Sequence, residues 1–326
     1  MYRNRFVAVV SGMLSCATWL AAASSFAQPY PSKSIRMIVP LAAGGPSDIM
    51  ARTVAQKLTE NLKQTVIVDN RPGASAIVGT ELTAKAPPDG YTIALVSNTI
   101  SINPSLFDKL PYDTMRDLAP VSLLVATPYV LTVHPSLPVH SVKQLIALAK
   151  ARPGELNHAS GGSGTGPHLT MELFAIRTGI KIVQITYKGG GPAMNDFIAG
   201  QTQVYIANMI AASPQIKAGR MRAIAVSSAQ RSETFPDLPT IAESGLTGFN
   251  EGGQHGIIAP GATAREILLR LREELAKALN SPEVKNRVQA EGGRIVASTP
   301  EEYRALIQTE TQKWAKVIKA AGIRPE

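Results

Sequence analysis

Two clusters of small and polar residues in this 326-residue chain have the composition of an anion seat. The first is Gly44-Gly45-Pro46-Ser47-Asp48. The second is Gly161-Gly162-Ser163-Gly164-Thr165-Gly166-Pro167-His168, with Ser160 just ahead of it. Glycines let backbone approach a ligand closely, hydroxyls donate hydrogen bonds, and the start of a helix adds unpaired N–H groups and the positive end of its dipole. Taken singly, each cluster has a plainer reading. The first also fits an ordinary capped turn, and the second a flexible structural loop.

Other chemistries fit poorly. Gly161-Gly162-Ser163-Gly164-Thr165 lacks the last glycine of a nucleophile elbow. The cluster has neither the spacing nor the downstream acid of a dinucleotide fingerprint, and no Walker lysine. His134, His140, His158, His168 and His255 show no metal-ligand spacing, so no metal is expected. His168 is placed to cap its helix or to touch a ligand carboxylate. Lys188, beside three glycines, fits an anion partner or a solvated turn lysine equally. No paired carboxylates stand out for acid–base work, and Asp48 reads first as a cap.

The elements around the first cluster are clear. IRMIVP is a short apolar run ending at Pro40, a buried strand. Met50, Val54, Leu58 and Leu62 then mark one face of an amphipathic helix. Gly45 is predicted as its cap, with Pro46 first and Asp48 third. TVIVDN and TIALVS are further strands, with GASAIVGTELTAKA helical between them. Such alternation implies a mostly parallel α/β sheet. The apolar stretch 118–134, holding Pro120 and Pro128, reads as a crossing between domains, and MRAIAVSS as the crossing back. Between them the pattern repeats. SVKQLIALAKA is helical, the strand ELNHAS enters the second cluster, and LTMELFAIRTG follows as a helix. IVQITY, AMNDFIAG and VYIAN complete that part. The last hundred residues read as mostly helical. Leu268, Leu271, Leu275 and Leu279 share a face, and Thr299-Pro300-Glu301-Glu302 forms a capping box.

Arg3 and Arg5 precede the apolar residues 6–20, and small residues follow up to Ser25-Phe26-Ala27. This is the pattern of a secretory signal peptide, expected to be cut after Ala27. Cys16, the one cysteine, lies inside it. The mature chain would then hold no disulfide, thiol nucleophile or thiolate metal site. A formal charge of +9, two of it in that segment, is spread along the chain, and aromatics make up 5%. That argues against nucleic acid as a partner and fits anionic small ligands. Together these features describe an exported α/β chain in two parts, with a cleft able to close on a carboxylate by hinge motion.

The chain resembles a known family along essentially its whole mature length. YPSKSIRMIVP, GGPSDIMAR, VIVDNRPGA, APPDGYT, INPSLFDKLPYD and DLAPVSLLV carry the likeness in the first part. HPSLPVHSVKQLIALAKARPGELNHAS, QITYKGGGPAMNDFIAGQ, IKAGRMRAIAVSS, RSETFPDLPTIAESG and KVIKAAGIRPE carry it onward. It is similar to the substrate-binding proteins of tripartite tricarboxylate transporters, the Bug family of periplasmic receptors. The resemblance implies a two-lobed periplasmic-binding-protein fold, type II-like, with the cleft between lobes joined by crossing strands. Residues 1–27 would be the signal peptide, 28–126 with 229–326 the first lobe, and 127–228 the second. It implies a ligand carboxylate held by Gly44, Gly45, Ser47 and Asp48 on one side. Ser160, Gly161, Ser163, Gly164, Thr165 and His168 would hold it on the other, with Ser97 and Asn208 toward the ligand's far end.

Three positions depart from the family's habit. Ala42-Ala43 stand where two prolines are usual, Ala207 where an aspartate is common, and His255 where an aromatic is common. If Ala207 and His255 line the cleft, they change its charge and stacking. The expectation is a periplasmic, monomeric receptor without catalytic residues or cofactor, delivering a small carboxylate to one small and one large integral membrane subunit. Di- and tricarboxylates, acidic amino acids and aromatic carboxylates all remain open. The alternatives are a receptor feeding a sensor, and an exported α/β hydrolase built on Ser163 and His168, which lie too close in sequence to pair well. Gly45→Val and Gly164→Val are both expected to abolish binding while the fold survives.

Overall fold

The computed structural model describes residues 30–187, 189–290 and 292–324. The signal-peptide reading, Cys16 and Lys188 lie outside them. In chain order the elements begin β1 (Ile35–Val39), α1 (Pro46–Leu62), β2 (Val66–Asn70), α2 (Ile77–Ala84), β3 (Thr92–Val96) and α3 (Thr99–Leu106). They continue with β4 (Leu118–Val133), α4 (Val142–Ala151), β5 (Asn157–Ser160), α5 (Gly166–Thr178), β6 (Val183–Thr186), α6 (Gly190–Ile198), β7 (Val204–Asn208), α7 (Met209–Lys217) and β8 (Arg222–Val226). β9 (Gly252–Pro260), α8 (Arg265–Asn280), α9 (Pro282–Ala290), β10 (Arg294–Ile295) and α10 (Pro300–Ala321) close the chain.

Most of these elements follow from local pattern. Met50, Val54, Leu58 and Leu62 are buried on α1, whose cap is Gly45 with Pro46 at the first position. Thr299 and Glu302 form the expected reciprocal capping box of α10. Strand β9 is a departure. Nine residues of GGQHGIIAP lie extended between β3 and β4 in a region that reads as mostly helical.

The sheet order is β2-β1-β3-β9-β4-β7-β5-β6, with β8 and β10 also on β4. β1, β2 and β3 pair in parallel, as do β5, β6 and β7, while β4 and β9 run antiparallel to their neighbours. The sixteen-residue β4 joins the two halves, as expected for the stretch 118–134. Its pairs from Leu118 to Pro128 are with β9, and its pairs from Tyr129 to Val133 are with β7. Proline cannot donate to a ladder. Pro128 is the last residue on β4 to pair with β9, and Pro120 lies beside a register shift. Each proline therefore stands where the ladder already changes.

Each half has its own core, which makes the fold two-lobed. Ile38, Val96, Leu123, Ile258, Tyr303 and Ile307 pack in the first. Leu131, Leu145, Phe174 and Ile206 pack on one side of the second sheet, and Met194, Phe197, Ala207 and Val226 pack together in a separate cluster of the same half. After β8 the chain stays with the second half for some twenty residues, since Ile241, Leu246 and Phe249 join the core around Phe174. It crosses back at Glu251.

Ser227 ties the three crossing segments together. Its N–H donates to the Tyr129 carbonyl (2.9 Å) and its Oγ accepts the Tyr129 N–H (2.9 Å). The same hydroxyl donates to the Glu251 carbonyl (2.6 Å), and the Ser227 carbonyl accepts the Glu251 N–H (2.8 Å). The Glu251 carboxylate meets Lys313 of α10 at 2.7 Å. Burial nevertheless holds that carboxyl above its usual range, because desolvation outweighs the lysine. Among the described residues no helix is long and apolar enough to cross a membrane.

Candidate functional site

The two clusters fold into loops of one design. Gly44 has φ +80° and Gly164 φ +73°, conformations open to glycine. In the first loop the Gly44 N–H donates to Asp48 Oδ2 at 2.9 Å. In the second the Gly164 N–H donates to His168 Nδ1 at 3.0 Å. In each case a cap residue follows the glycine, Gly45 or Thr165, and the accepting side chain is the third residue of the helix. The first helical hydrogen bonds are Ile49 N–H to Gly45 and Leu169 N–H to Thr165. The N–H groups of Ser47 and Asp48 therefore precede the ladder of α1 and are positioned for an acceptor beyond it.

Their electrostatics are opposite. Asp48 pairs with Arg52 one turn on, at 3.0 Å. Burial would raise its pKa, but hydrogen bonds from Arg52 and the Gly44 N–H leave it below the ordinary range, so it is ionised. His168 instead faces Glu172 one turn on, at 3.7 Å from Nε2, and its Nδ1 must be an acceptor to take the Gly164 N–H. Glu172 is pushed upward by burial.

Steric surroundings also differ. A Cβ on Gly44 would meet nothing within 4 Å, and one on Gly45 only the Ala42 carbonyl at 3.6 Å. A Cβ on Gly164 would overlap Leu106 Cδ2 of α3, and one on Gly166 would overlap the Tyr129 hydroxyl. Gly161 is close to backbone, with the Gly190 nitrogen 3.0 Å from where its Cβ would stand. Gly164→Val, expected to spare the fold, would have to displace the end of the Leu106 side chain and would be strained at φ +73°.

The remaining expected residues fall into three groups. Ser160 and Thr165 turn inward on Gly162, whose carbonyl takes both hydroxyls at 3.3 and 2.9 Å. Ser163 lies within the same loop. Ser97 sits beside Thr99, with 3.2 Å between hydroxyls. Ser47 and Asn208 converge instead on β9. His255 Nε2 lies 3.0 Å from Ser47 Oγ, and Asn208 Nδ2 would stand 3.3 Å from a Cβ on Gly253. Residues 253–255 thus link the first loop to the end of β7. Ala207 is not a cleft residue, since it is fully buried in the second lobe's core beside Phe197. His255 is also buried, and it serves the glycine loop rather than stacking at a distant end.

Asn98 was not anticipated. Its Nδ2 donates to the Gly252 carbonyl at 3.0 Å and its Oδ1 accepts the Gln254 N–H at 2.8 Å, fixing β9 against the end of β3. An amide directly after Ser97, with both a donor and an acceptor, was the available signal. Surface hollows of about 460 Å³ near Pro104 and Lys319, and about 470 Å³ near Met221 and Phe235, share no residue with either loop. Among the described residues no three His, Cys, Asp or Glu side chains are grouped to hold a metal.

Two lobes that share crossing strands, each opening a helix from a glycine loop at the end of a strand, define a two-lobed periplasmic binding protein. The model of the family described as "Tripartite tricarboxylate transporter family receptor" matches residues 50–323, and the chain belongs to that family. The family so described is one of receptors rather than enzymes. It is 40% identical over 326 residues to Protein BugT of Bordetella pertussis, covering 99% of both chains. Among solved structures it is similar to R. palustris Rpa4515 with adipate, at 34% identity and TM-score 0.84, covering 91% of this chain and 100% of that one. It is also similar to MatC of Rhodopseudomonas palustris with bound malate, at 27% identity and TM-score 0.80, covering 89% and 100%.

Proposed function

We propose that the chain is a periplasmic solute receptor which closes on a small carboxylate, a dicarboxylate first among the candidates, and presents it to one small and one large integral membrane subunit. The observation that carries this reading is the open first loop. Gly44 and Gly45 have no side chain to fill the space before α1, and the start of that helix supplies main-chain donors there. An anion in that position is stabilised by the helix terminus without needing a full countercharge. Similar proteins with adipate and with malate bound support a dicarboxylate.

In this reading Gly44, Gly45, Ser47 and Asp48 form one side of the seat. Gly44 and Asp48 shape the loop, and Gly45 and Ser47 face the ligand. Ser160, Gly161, Ser163, Gly164, Thr165 and His168 build the opposing loop, and Ser97 and Asn208 bound the far end. The lobes divide at residues 126–127 on the way out. On the return they divide near residue 251 rather than 229, because Ile241, Leu246 and Phe249 pack with the second core. Residues 1–27 act as a signal peptide cut after Ala27, and the mature receptor is a monomer.

Calorimetric titration of residues 28–326 with adipate, malate, citrate, glutamate and benzoate, and with the matching amides, tests this. Binding of one carboxylate, but not of its amide, is the expected result. Amides that bind as tightly as the acids would overturn it.

A further inference from the structure

His255 stands at a position that the glycine loops do not explain. It lies on β9, opposite Val125 of β4, and its side chain is buried, with 3% of the residue exposed. Nε2 is 3.0 Å from the Ser47 hydroxyl, which is itself 4% exposed. Among the described residues that imidazole is the one partner of the hydroxyl, and Nδ1 is buried with no partner. Ser47 does not cap its helix. Its side chain is therefore held by a residue more than two hundred positions away, in the first turn of α1 that follows the open loop.

A neutral imidazole carries one N–H. If Nδ1 held it, a buried donor would have no acceptor, which is rarer and costlier than an unmatched lone pair. Ser47 would then have to direct its own proton back at Nε2. With the proton on Nε2 the ring donates to Ser47 Oγ, and the unmatched atom is only an acceptor. The serine proton is then directed away from the ring. Desolvation lowers the His255 pKa to about 4, so the ring stays neutral at neutral pH and adds no charge of its own.

We propose that His255 is a positioning residue which fixes the Ser47 hydroxyl as a hydrogen-bond donor toward the bound carboxylate, so that at this position the seat offers a donor and disfavours the NH₂ of a carboxamide, which would need an acceptor there. This rests on the carboxylate reading of the first loop. An aromatic ring of similar size would fill the space without directing the hydroxyl.

Nitrogen-15 NMR of the imidazoles at neutral pH, on residues 28–326, reads the tautomer without any ligand. The Nε2–H form is expected for His255, with its Nε2 signal moved by Ser47→Ala; an Nδ1–H form would overturn the proposal. Calorimetry with adipate, malate and adipic acid monoamide then compares wild type with His255→Phe, His255→Gln, Ser47→Ala and the double variant Ser47→Ala/His255→Phe. His255→Phe and Ser47→Ala should each weaken dicarboxylate binding by about tenfold and narrow the preference over the amide. His255→Gln, whose amide N–H can reach the same oxygen, should stay within about threefold of wild type. The double variant should be no weaker than Ser47→Ala alone. Additive losses, or full affinity in His255→Phe, would overturn the role given to His255. A wild type with the Nε2–H tautomer that binds no carboxylate would overturn the carboxylate reading, and with it the ligand-facing half of this proposal, which distinguishes the two failures.

Discussion

The loops at residues 44–48 and 160–168 share a backbone device and differ in what surrounds it. Each has a left-handed glycine whose N–H is taken by the third side chain of the following helix. In the first loop that side chain is an aspartate backed by an arginine, and the glycines face open space. In the second it is a histidine backed by a glutamate, and Gly164 and Gly166 are packed against Leu106 and Tyr129. One loop therefore leaves space ahead of its helix, and the other is filled by side chains from α3 and β4. Leu106, Leu169, Trp314, Val317 and Ile318, from α3, α5 and α10, form the apolar cluster beside that second loop.

The largest effect should come from breaking the packed loop. Gly164→Val places a Cβ into Leu106 at a φ that L side chains avoid, and should cost about 2–5 kcal/mol of stability by urea unfolding. Pairing Gly164→Ala with Leu106→Ala should recover part of the loss relative to Gly164→Ala alone. No recovery would mean that backbone strain, rather than the contact, sets the cost.

Acid should act next. His255 and His158 are buried and held neutral, with pKa values lowered to about 4 and about 3; burial is the main cause in both, with His168 adding to it at His158. Their folded pKa values lie below the unfolded one, so the unfolded chain binds more protons as pH falls below about 6.5. Stability is complete above that pH and is lost on acidification, by about 2 kcal/mol per histidine between pH 6.5 and 5. His255→Phe should flatten the decline in melting temperature over that range. An unchanged slope would show that His255 is protonated in the folded state.

A smaller loss separates the two accepting side chains. Asp48→Ala removes the acceptor of the Gly44 N–H and the partner of Arg52, and should cost about 1–2 kcal/mol. Asp48→Asn keeps an acceptor and should recover about half of that. Equal losses would mean that the ion pair, rather than the loop hydrogen bond, is what matters.

Much of this was legible in the sequence because it is local. Gly45-Pro46 starts α1, Thr299-Pro300-Glu301-Glu302 starts α10, and the apolar run with Pro120 and Pro128 is the long strand that joins the halves. What was not legible depends on partners far along the chain. GGQHGIIAP begins with two glycines, and it is a strand only because β3 and β4 lie on either side of it. Whether Ala207 and His255 face a core or a cleft follows from sheet register, which a composition pattern does not contain. Leu106 fills the space beside Gly164 from 58 positions away, so the two glycine loops look alike in sequence and differ in the fold.

If the open loop seats the carboxylate, Gly45→Val should remove binding without unfolding the chain. A Cβ there meets only the Ala42 carbonyl, at ordinary contact distance, so the loss of stability is expected to be small, about 1 kcal/mol. Its melting temperature and its affinity for the tightest carboxylate of the titration panel should be measured on the same preparation. A melting temperature near that of wild type is expected together with an affinity at least about a hundredfold weaker, since the side chain would fill the ligand's place. Wild-type affinity in this variant would contradict it, and would place the carboxylate elsewhere in the cleft.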